Sequence, residues 1–257
     1  MAFHEGELEV QARAGLAGEA ARMAGFAKPE LGLAAAQFLA MQRMVLVSTI
    51  AADGRVSASV LAGELAFAHA IALDTIRIEP SSGHVERVFS DVASNPDIGL
   101  LAIDFATKRR VRVNGRATVR RGAITLTTRE AYTNCPQYIH PRDTPALRFD
   151  EAAPFDFVSR ADTFFIASAH PEAGADMSHR GGPAGFVRVD GPDTLSWEDY
   201  PGNNMFNTLG NLARNPNAGL LFIDFDGKRT LQLSGTARVE WGGTRRVVFN
   251  ALPAKSL

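Results

Sequence analysis

The feature that most constrains this chain is an internal duplication. Asn95–Phe105 reads NPDIGLLAIDF and Asn215–Phe225 reads NPNAGLLFIDF, so eight of eleven positions match at a spacing of 120 residues. Upstream the spacing becomes 119, which indicates one inserted residue near Gly202. Units of this length are too long for a solenoid repeat and long enough for separate domains. We expect a helical segment (1–44), repeat 1 (45–128), a linker (129–160) and repeat 2 (161–257).

Both repeats carry the pattern of a small β-barrel. Phe164–Ala169 is a short apolar run that ends in a turn-rich stretch, and Thr230–Val239 alternates apolar and polar residues as a half-buried strand does. Asn204–Arg214 is a helical segment between strands, with Pro216 just past its end. Several strands with one helix predict a barrel, so the expected fold class is mainly β with a few helices.

The segments outside the repeats are interpreted as packing and linker elements. Glu7–Met23 and Leu31–Arg43 are rich in alanine and predict helices, the second of them after Pro29. Arg129–Ile139 joins the repeats. It is followed by a loop that contains Pro141, Pro145 and Pro154.

Composition excludes several classes of protein. The net charge of −1 gives no basic field for nucleic acid, and no apolar stretch approaches the 18 residues that a membrane helix needs. The first residues carry acids and no apolar signal region, and the single cysteine, Cys135, cannot form a disulfide within the chain. We therefore expect a cytoplasmic protein without nucleic-acid or membrane partners.

A comparison of the two repeats points to repeat 2 as the functional half. Ser178-His179-Arg180-Gly181 of repeat 2 stands where repeat 1 has Ser59-Val60-Leu61-Ala62. A glycine lets a ligand approach the backbone, and an arginine offers donors that suit phosphate or carboxylate. The cationic and polar residues of repeat 2 thus replace apolar residues of repeat 1.

The start of the predicted helix differs in the same sense. Asn203 or Asn204 would cap it, where repeat 1 has His84-Val85, and Asn207 and Thr208 add uncharged donors in its first turn. Free N–H groups at a helix start attract anions. Two readings stay open: a phosphate held between Arg180 and this helix start, or a solvated arginine beside an ordinary capped helix.

Searches for other sites are negative. The sequence has no phosphate-binding loop, dinucleotide fingerprint, zinc-protease motif or serine-hydrolase elbow. Its six histidines are scattered, so we expect no metal site and assign no catalytic residue. Cys135 is interpreted as a small buried hydrophobe rather than a nucleophile.

Long strings of repeat 2 resemble a known family. SHRGGPAGFVRV, TLSWEDYPGNNMFNTLGNLARNPNAGLLFIDF and LQLSGTARVEW are similar to the pyridoxamine 5'-phosphate oxidase-like proteins, the FMN-binding split-barrel superfamily. Repeat 1 resembles the degenerate half of two-domain members. The resemblance implies tandem split β-barrels, with FMN at an interface between barrels in a homodimer or an intrachain pseudo-dimer. It places the FMN phosphate at Ser178, His179, Arg180, Gly181, Asn203, Asn204, Asn207 and Thr208.

The resemblance also implies apolar walls for the flavin ring, for which Trp197 and Phe206 are candidates beside their alternative role as core residues. Members that oxidise pyridoxamine phosphate carry a lysine after the strand arginine and a Ser-Arg-Lys run before the helix. Here those places hold Gly and Pro residues and Asn207-Thr208. We therefore expect an FMN-dependent oxidoreductase with a different small substrate or a nicotinamide electron donor. The alternatives are a non-catalytic flavin-binding or storage protein, and a barrel that uses deazaflavin or haem, with His170 or His179 as the haem ligand.

Overall fold

The structure is a computed structural model that describes residues 3–144, 147–152 and 155–253. Its helices pack on two curled antiparallel sheets, which confirms the mainly β class and agrees with split barrels. Among the described residues, no helix combines the length and apolarity needed to cross a membrane. The helices are α1 (Glu5–Arg13), α2 (Ala17–Ala21), α3 (Leu33–Ala40), α4 (Val85–Ser94) and α5 (Asn207–Arg214), with a 3₁₀ turn at Phe155–Arg160.

Repeat 1 forms one sheet with the spatial order β3-β4-β8-β7-β6-β1-β2-β5. Its apolar residues form one core, to which α3 and α4 contribute. The strands are β1 (Met44–Ile50), β2 (Val56–Ala62), β3 (Ala68–Ala72), β4 (Thr75–Ile78), β5 (Ser82–Gly83), β6 (Asp97–Asp104), β7 (Arg109–Arg120) and β8 (Ala123–Thr133).

Repeat 2 forms the second sheet with the order β11-β10-β14-β15-β16-β13-β12, and β9 adds to β15 in parallel. Its core also takes in residues of α1 and α5. The strands are β9 (Arg148–Ala152), β10 (Thr163–His170), β11 (Gly174–Gly181), β12 (Arg188–Val189), β13 (Thr194–Glu198), β14 (Asn217–Asp224), β15 (Arg229–Glu240) and β16 (Arg246–Ala251).

The two sheets pack against each other through a third apolar core made by both repeats. The packing has the symmetry of the duplication: β11 contacts β6 and β7, and β2 contacts β14 and β15. Gly99 and Gly219, at the same place in the two repeats, both lie at this contact. A Cβ on Gly99 would sit 2.7 Å from the Asp176 backbone, and one on Gly219 would sit 2.6 Å from the Ala58 backbone. The shared glycine is therefore required by the contact between the repeats.

Three sequence expectations need correction. The linker does not begin at 129, because β8 continues to Thr133 and pairs with β7. The helix expected at Glu7–Met23 divides at Gly15, whose φ of +70° ends α1. The helix expected from Asn204 begins at Asn207. Of the loop prolines, Pro145 and Pro154 lie outside the described residues, as do the last four residues of the expected repeat 2.

Candidate functional site

A cavity lies between the repeats, and all eight residues singled out from the sequence line it. Its walls are β7 of repeat 1, the linker from 134 to 138, and the end of β11 with the segment 197–209 of repeat 2. The space not filled by protein, including the open mouth, is about 910 Å³. The eight residues are Ser178, His179, Arg180, Gly181, Asn203, Asn204, Asn207 and Thr208.

The inner wall of the cavity is a buried polar cluster shared by the two repeats. The hydroxyls of Ser178 and Thr208 are 2.8 Å apart, and Arg112 of repeat 1 donates from Nη2 to Ser178 Oγ at 2.6 Å. Arg112 is also paired with Asp176 at 3.2 Å, and that carboxylate holds the pKa of the guanidinium above its ordinary value against the effect of burial. Arg112 is therefore a fixed cation at the inner wall.

A second arginine of repeat 1, Arg110, has no carboxylate partner among the described residues. It donates to His179 Nδ1 at 3.0 Å and to the Cys135 carbonyl oxygen at 2.7 Å. Burial, with the nearby charges of Arg112 and Arg180, lowers the pKa of Arg110 to about 10. A partly buried cation without a counter-charge is costly, so this position favours an anionic or oxygen-rich ligand.

Arg180, the arginine singled out from the sequence, is already neutralised. Its Nη1 lies 2.9 Å from Asp199 Oδ1, and Arg245 lies 3.1 Å from the other oxygen of the same buried carboxylate. The phosphate expected between Arg180 and the helix start stays a prediction, but the charge of Arg180 is already balanced within the protein, unlike that of Arg110. The reason is a long-range contact, because Asp199 reaches Arg180 only when β11 and β13 lie in one fold.

The charge of the cavity lining is positive. Four arginines line or enter it, and two of the nearby carboxylates, Asp176 and Asp199, are buried against them. Counting Glu198 as well, the third acid beside the cavity and one that is exposed to solvent, the four arginines leave one positive charge in excess. A phosphate monoester carries about −1.5 to −2 at pH 7 and is opposite in sign to this excess.

The segment before α5 is a left-handed turn rather than a capped start. Asn204 and Phe206 have φ values of +59° and +62°, and Phe206 occupies the cap position without a side-chain cap. Asn203 accepts a hydrogen bond from Met205 N at 3.1 Å, so neither asparagine caps the helix as expected. The first N–H groups of α5, which have no partner within a helix, lie beside the cavity instead.

Two further ring N–H groups of the cavity lining lack acceptors among the described residues. His179 receives the Arg110 donor at Nδ1, so its proton is on Nε2, which is buried and unpaired. Burial and the two adjacent arginines lower the pKa of His179 well below its ordinary value, so the ring is neutral. The indole Nε1 of Trp197 is also buried and unpaired. Both residues line the cavity, and the His179 ring also packs against Phe105 and Phe165. With the arginines, these two donors favour a ligand rich in acceptors.

The candidate ring walls, Trp197 and Phe206, both line the cavity. Trp197 is 2% exposed and packs edge-on against Phe164 at 4.8 Å, so it serves the core as well as the lining. Phe206 lies under the guanidinium of Arg245 at 5.1 Å. A pair not anticipated from the sequence, Tyr138 and Tyr200, has its ring centroids 5.5 Å apart at the same cavity.

His170, the other histidine considered as a metal ligand, uses both ring nitrogens in hydrogen bonds within the protein. His170 accepts backbone N–H groups of Glu172 and Ala173 at Nδ1, so its Nε2 carries the proton and donates to Glu5 at 2.9 Å. A metal-bound histidine needs the opposite arrangement, with the second ring nitrogen as donor. His4, which groups with Glu5 and His170, has the same arrangement, accepting Glu7 N at Nδ1. The hydrogen bonds therefore disfavour a metal at this cluster.

The equivalent place in repeat 1 is closed by the chain itself. β5 pairs with β2 at Leu61↔Gly83, and His84 Nδ1 accepts the Val60 N–H at 3.1 Å. On the facing repeat, Gln232 stands where repeat 1 has Arg112, and its amide donates to Ala58 O and Ser59 Oγ. The linker strand β9 pairs with β15 beside it. Among the described residues, the place in repeat 1 that corresponds to Arg180 and the start of α5 is therefore filled by β5 and His84.

Sequence reasoning missed the residues that repeat 1 and the linker contribute. Arg110 and Arg112 correspond to Thr230 and Gln232 in repeat 2, and this difference between the repeats is a readable signal. This difference was missed because repeat 1 resembles a degenerate half, which is not expected to contribute binding residues. Cys135, expected to be buried, is exposed and lines the cavity.

Comparisons with known proteins place repeat 2 in a family. A sequence model of the pyridoxamine 5'-phosphate oxidase family matches residues 149–249. No curated protein matches significantly.

Solved structures give weaker likenesses. A histidine-to-alanine variant of HupZ from Group A Streptococcus is 11% identical over 38% of this chain and 90% of its own, with a TM-score of 0.32. A protein provisionally assigned as a pyridoxamine 5'-phosphate oxidase from Lactobacillus delbrueckii is 14% identical over 39% and 91%, also with a TM-score of 0.32. Apo MrkH from K. pneumonia is 12% identical over 85% and 82%, with a TM-score of 0.21. TM-scores this low add nothing to the family match.

Proposed function

Because this chain belongs, through residues 149–249, to the pyridoxamine 5'-phosphate oxidase-like family, we propose that it binds FMN in the cavity between its repeats and acts as a flavin-dependent oxidoreductase. One observation carries the proposal. The cavity lining has more arginines than carboxylates and several buried donors without a partner, and every predicted binding residue lines it. FMN supplies a phosphate dianion and a ring edge rich in acceptors, which match that lining in charge and in hydrogen bonding.

The residues present fit the phosphate of FMN. The hydroxyls of Ser178 and Thr208, the N–H groups at the start of α5 and the guanidinium of Arg112 converge on one part of the cavity. Arg110, without a carboxylate of its own among the described residues, is available to the oxygens of the cofactor. Phosphate bound there would replace the missing counter-charge.

The residues also fit a flavin ring. The N–H groups of His179 Nε2 and Trp197 Nε1 are unpaired donors, and carbonyl oxygens of an isoalloxazine would accept from them. The aromatic side chains Phe186, Tyr200 and Phe206 supply flat apolar surface at the same cavity. When bound, the flavin supplies the hydride or electron chemistry, and the protein binds and orients it and limits access of water.

Haem is the less favoured alternative. Iron bound at His179 Nε2 would require the proton on Nδ1, but Nδ1 faces the donor of Arg110. His170 Nδ1 accepts the backbone N–H groups of Glu172 and Ala173, so His170 also lacks the Nδ1 proton that binding of iron at Nε2 would require. A deazaflavin shares the phosphate and much of the ring edge, so the cavity lining does not separate it from FMN.

The test is an absorption spectrum of the purified protein, followed by release of the cofactor on denaturation and rebinding of added FMN. A flavin spectrum with release of FMN supports the proposal. A Soret band, or a colourless protein that does not take up FMN, contradicts it. Anaerobic addition of NADH or NADPH then separates a reductase, whose flavin bleaches, from a passive flavin-binding protein, whose flavin does not.

A further inference from the structure

Helix α1 belongs to neither repeat, yet it packs directly on α5 beside the cavity. The two helices approach at glycines: a Cβ on Gly210 would lie 2.7 Å from Glu7 Cγ, and a Cβ on Gly6 would overlap the Gly210 carbonyl oxygen. Val10 of α1 joins the repeat 2 core with Leu209. Helix α1 therefore packs against α5 beside the cavity, although nothing in the sequence of α1 indicated that it lies near the site.

Two polar residues on the buried face of α1 make specific contacts with the cavity segment. Glu7 is 4% exposed, and its Oε1 accepts a hydrogen bond from Asn207 Nδ2 at 2.6 Å. Gln11 is 1% exposed, and its Nε2 donates to the Met205 carbonyl oxygen at 3.1 Å. Met205 lies between Asn204 and Phe206, the two left-handed residues before α5. Residues other than glycine adopt left-handed backbone angles mainly where the surrounding structure stabilises them.

We propose that α1 is a positioning element of the ligand site, in which Glu7 and Gln11 hold Asn207 and the left-handed turn Asn204–Phe206 in the shape that receives the ligand. The proposal rests on the proposed function for the identity of that ligand. Asn207 connects the contact to the inner wall, because its Oδ1 accepts from the Tyr132 hydroxyl at 3.3 Å. The contact with Glu7 thus also orients a side chain that lines the cavity.

The chemistry of Glu7 supports a positioning role rather than a charge role. Burial, with the nearby carboxylates of Glu130 and Asp176, raises the pKa of Glu7 to about 8. At neutral pH its side chain is therefore mainly an uncharged acceptor. The two carboxyl oxygens accept from Asn207 Nδ2 and from the His4 backbone N–H. Glutamine keeps one oxygen acceptor, enough for Asn207, whereas leucine of similar size keeps none, so the two substitutions separate the contact with Asn207 from packing.

The test measures FMN binding by fluorescence quenching, and amide hydrogen exchange of residues 203–208, in the full-length protein. Glu7→Leu and Gln11→Leu are each expected to weaken FMN binding about three- to tenfold, the worth of one hydrogen bond. Both should speed exchange in 203–208 without changing exchange in β10 and β14. Glu7→Gln is expected to stay within about threefold of wild type in affinity.

Glu9 offers the matched control on the same helix. Its side chain is half exposed and pairs with Arg214 rather than with the turn. Glu9→Leu and Glu9→Gln should leave both FMN affinity and exchange in 203–208 at wild-type values.

The outcomes separate this inference from the proposed function. If wild type does not bind FMN but Glu7→Leu still speeds exchange in 203–208, the proposed function fails and the positioning of the turn stands. If wild type binds FMN and Glu7→Leu changes neither affinity nor exchange, the positioning role is overturned. Faster exchange with unchanged FMN affinity overturns it as well, since the contact would then be structural alone. If Glu7→Gln binds FMN as weakly as Glu7→Leu does, the role of Glu7 as the hydrogen-bond acceptor of Asn207 is overturned.

Discussion

Arg110 allows a sharp test because its effects on ligand binding and on folding should have opposite signs. The perturbation is Arg110→Thr, which installs the residue that repeat 2 carries at the matching position, Thr230. Loss of a charge-assisted hydrogen bond to the cofactor should weaken FMN binding by about 1.5–3 kcal/mol, or roughly 10- to 100-fold in Kd.

The same substitution should not destabilise the fold. The pKa of Arg110, lowered to about 10 from 12.5, means that folding disfavours its charged form by on the order of 3 kcal/mol. Removing the guanidinium relieves that cost, against the loss of its hydrogen bonds to His179 and to the Cys135 carbonyl, each worth about 1 kcal/mol. The free energy of unfolding of the apo protein is expected to stay level or rise.

The assay pairs an FMN titration with urea unfolding of the apo protein. Arg109→Thr is the control, since its guanidinium lies over the Phe38 ring on the other side of β7, away from this cavity. It should bind FMN as wild type does. Wild-type affinity in Arg110→Thr would refute the assignment of Arg110 as the cation available to the cofactor. A fall in affinity that merely follows a fall in stability would refute the reasoning about its buried charge.

Three further predictions concern the whole chain. FMN should bind at one per chain in a titration against protein of known concentration, because β5 and His84 close the equivalent place in repeat 1; two per chain would contradict this. Leu61→Ala should cost about 2–5 kcal/mol in urea unfolding and leave FMN affinity unchanged, because this side chain is fully buried in the repeat 1 core. For Glu7 the folded pKa of about 8 lies above the unfolded value of 4.5, so its stabilisation is complete below pH 4.5 and is lost as the pH rises through 8. Wild type should therefore lose on the order of 2–3 kcal/mol relative to Glu7→Gln between pH 6 and pH 9, and parallel pH profiles would contradict the buried carboxyl.

Much of the fold could be read from local sequence pattern. The strands expected at Phe164–Ala169 and Thr230–Val239 lie within β10 and β15, because alternating and continuous apolar runs report which faces of a strand are buried. The sequence placed the start of α5 three residues too early. Helical spacing continues back to Asn204, but Asn204 and Phe206 have left-handed angles, and α1 contacts Met205 between them, a long-range contact that no spacing encodes.

The sequence by itself determined that the chain is a duplicated β-barrel and which residues of repeat 2 differ from repeat 1 in chemistry. Those residues do line one cavity. Only the tertiary structure decided which arginine keeps an unbalanced charge, because Asp199 neutralises Arg180 while no carboxylate of the described residues reaches Arg110. It also decided that both repeats build the site. Periodicity is a property of neighbours along the chain, whereas the charge balance of a cavity is set by groups that meet only when distant segments pack.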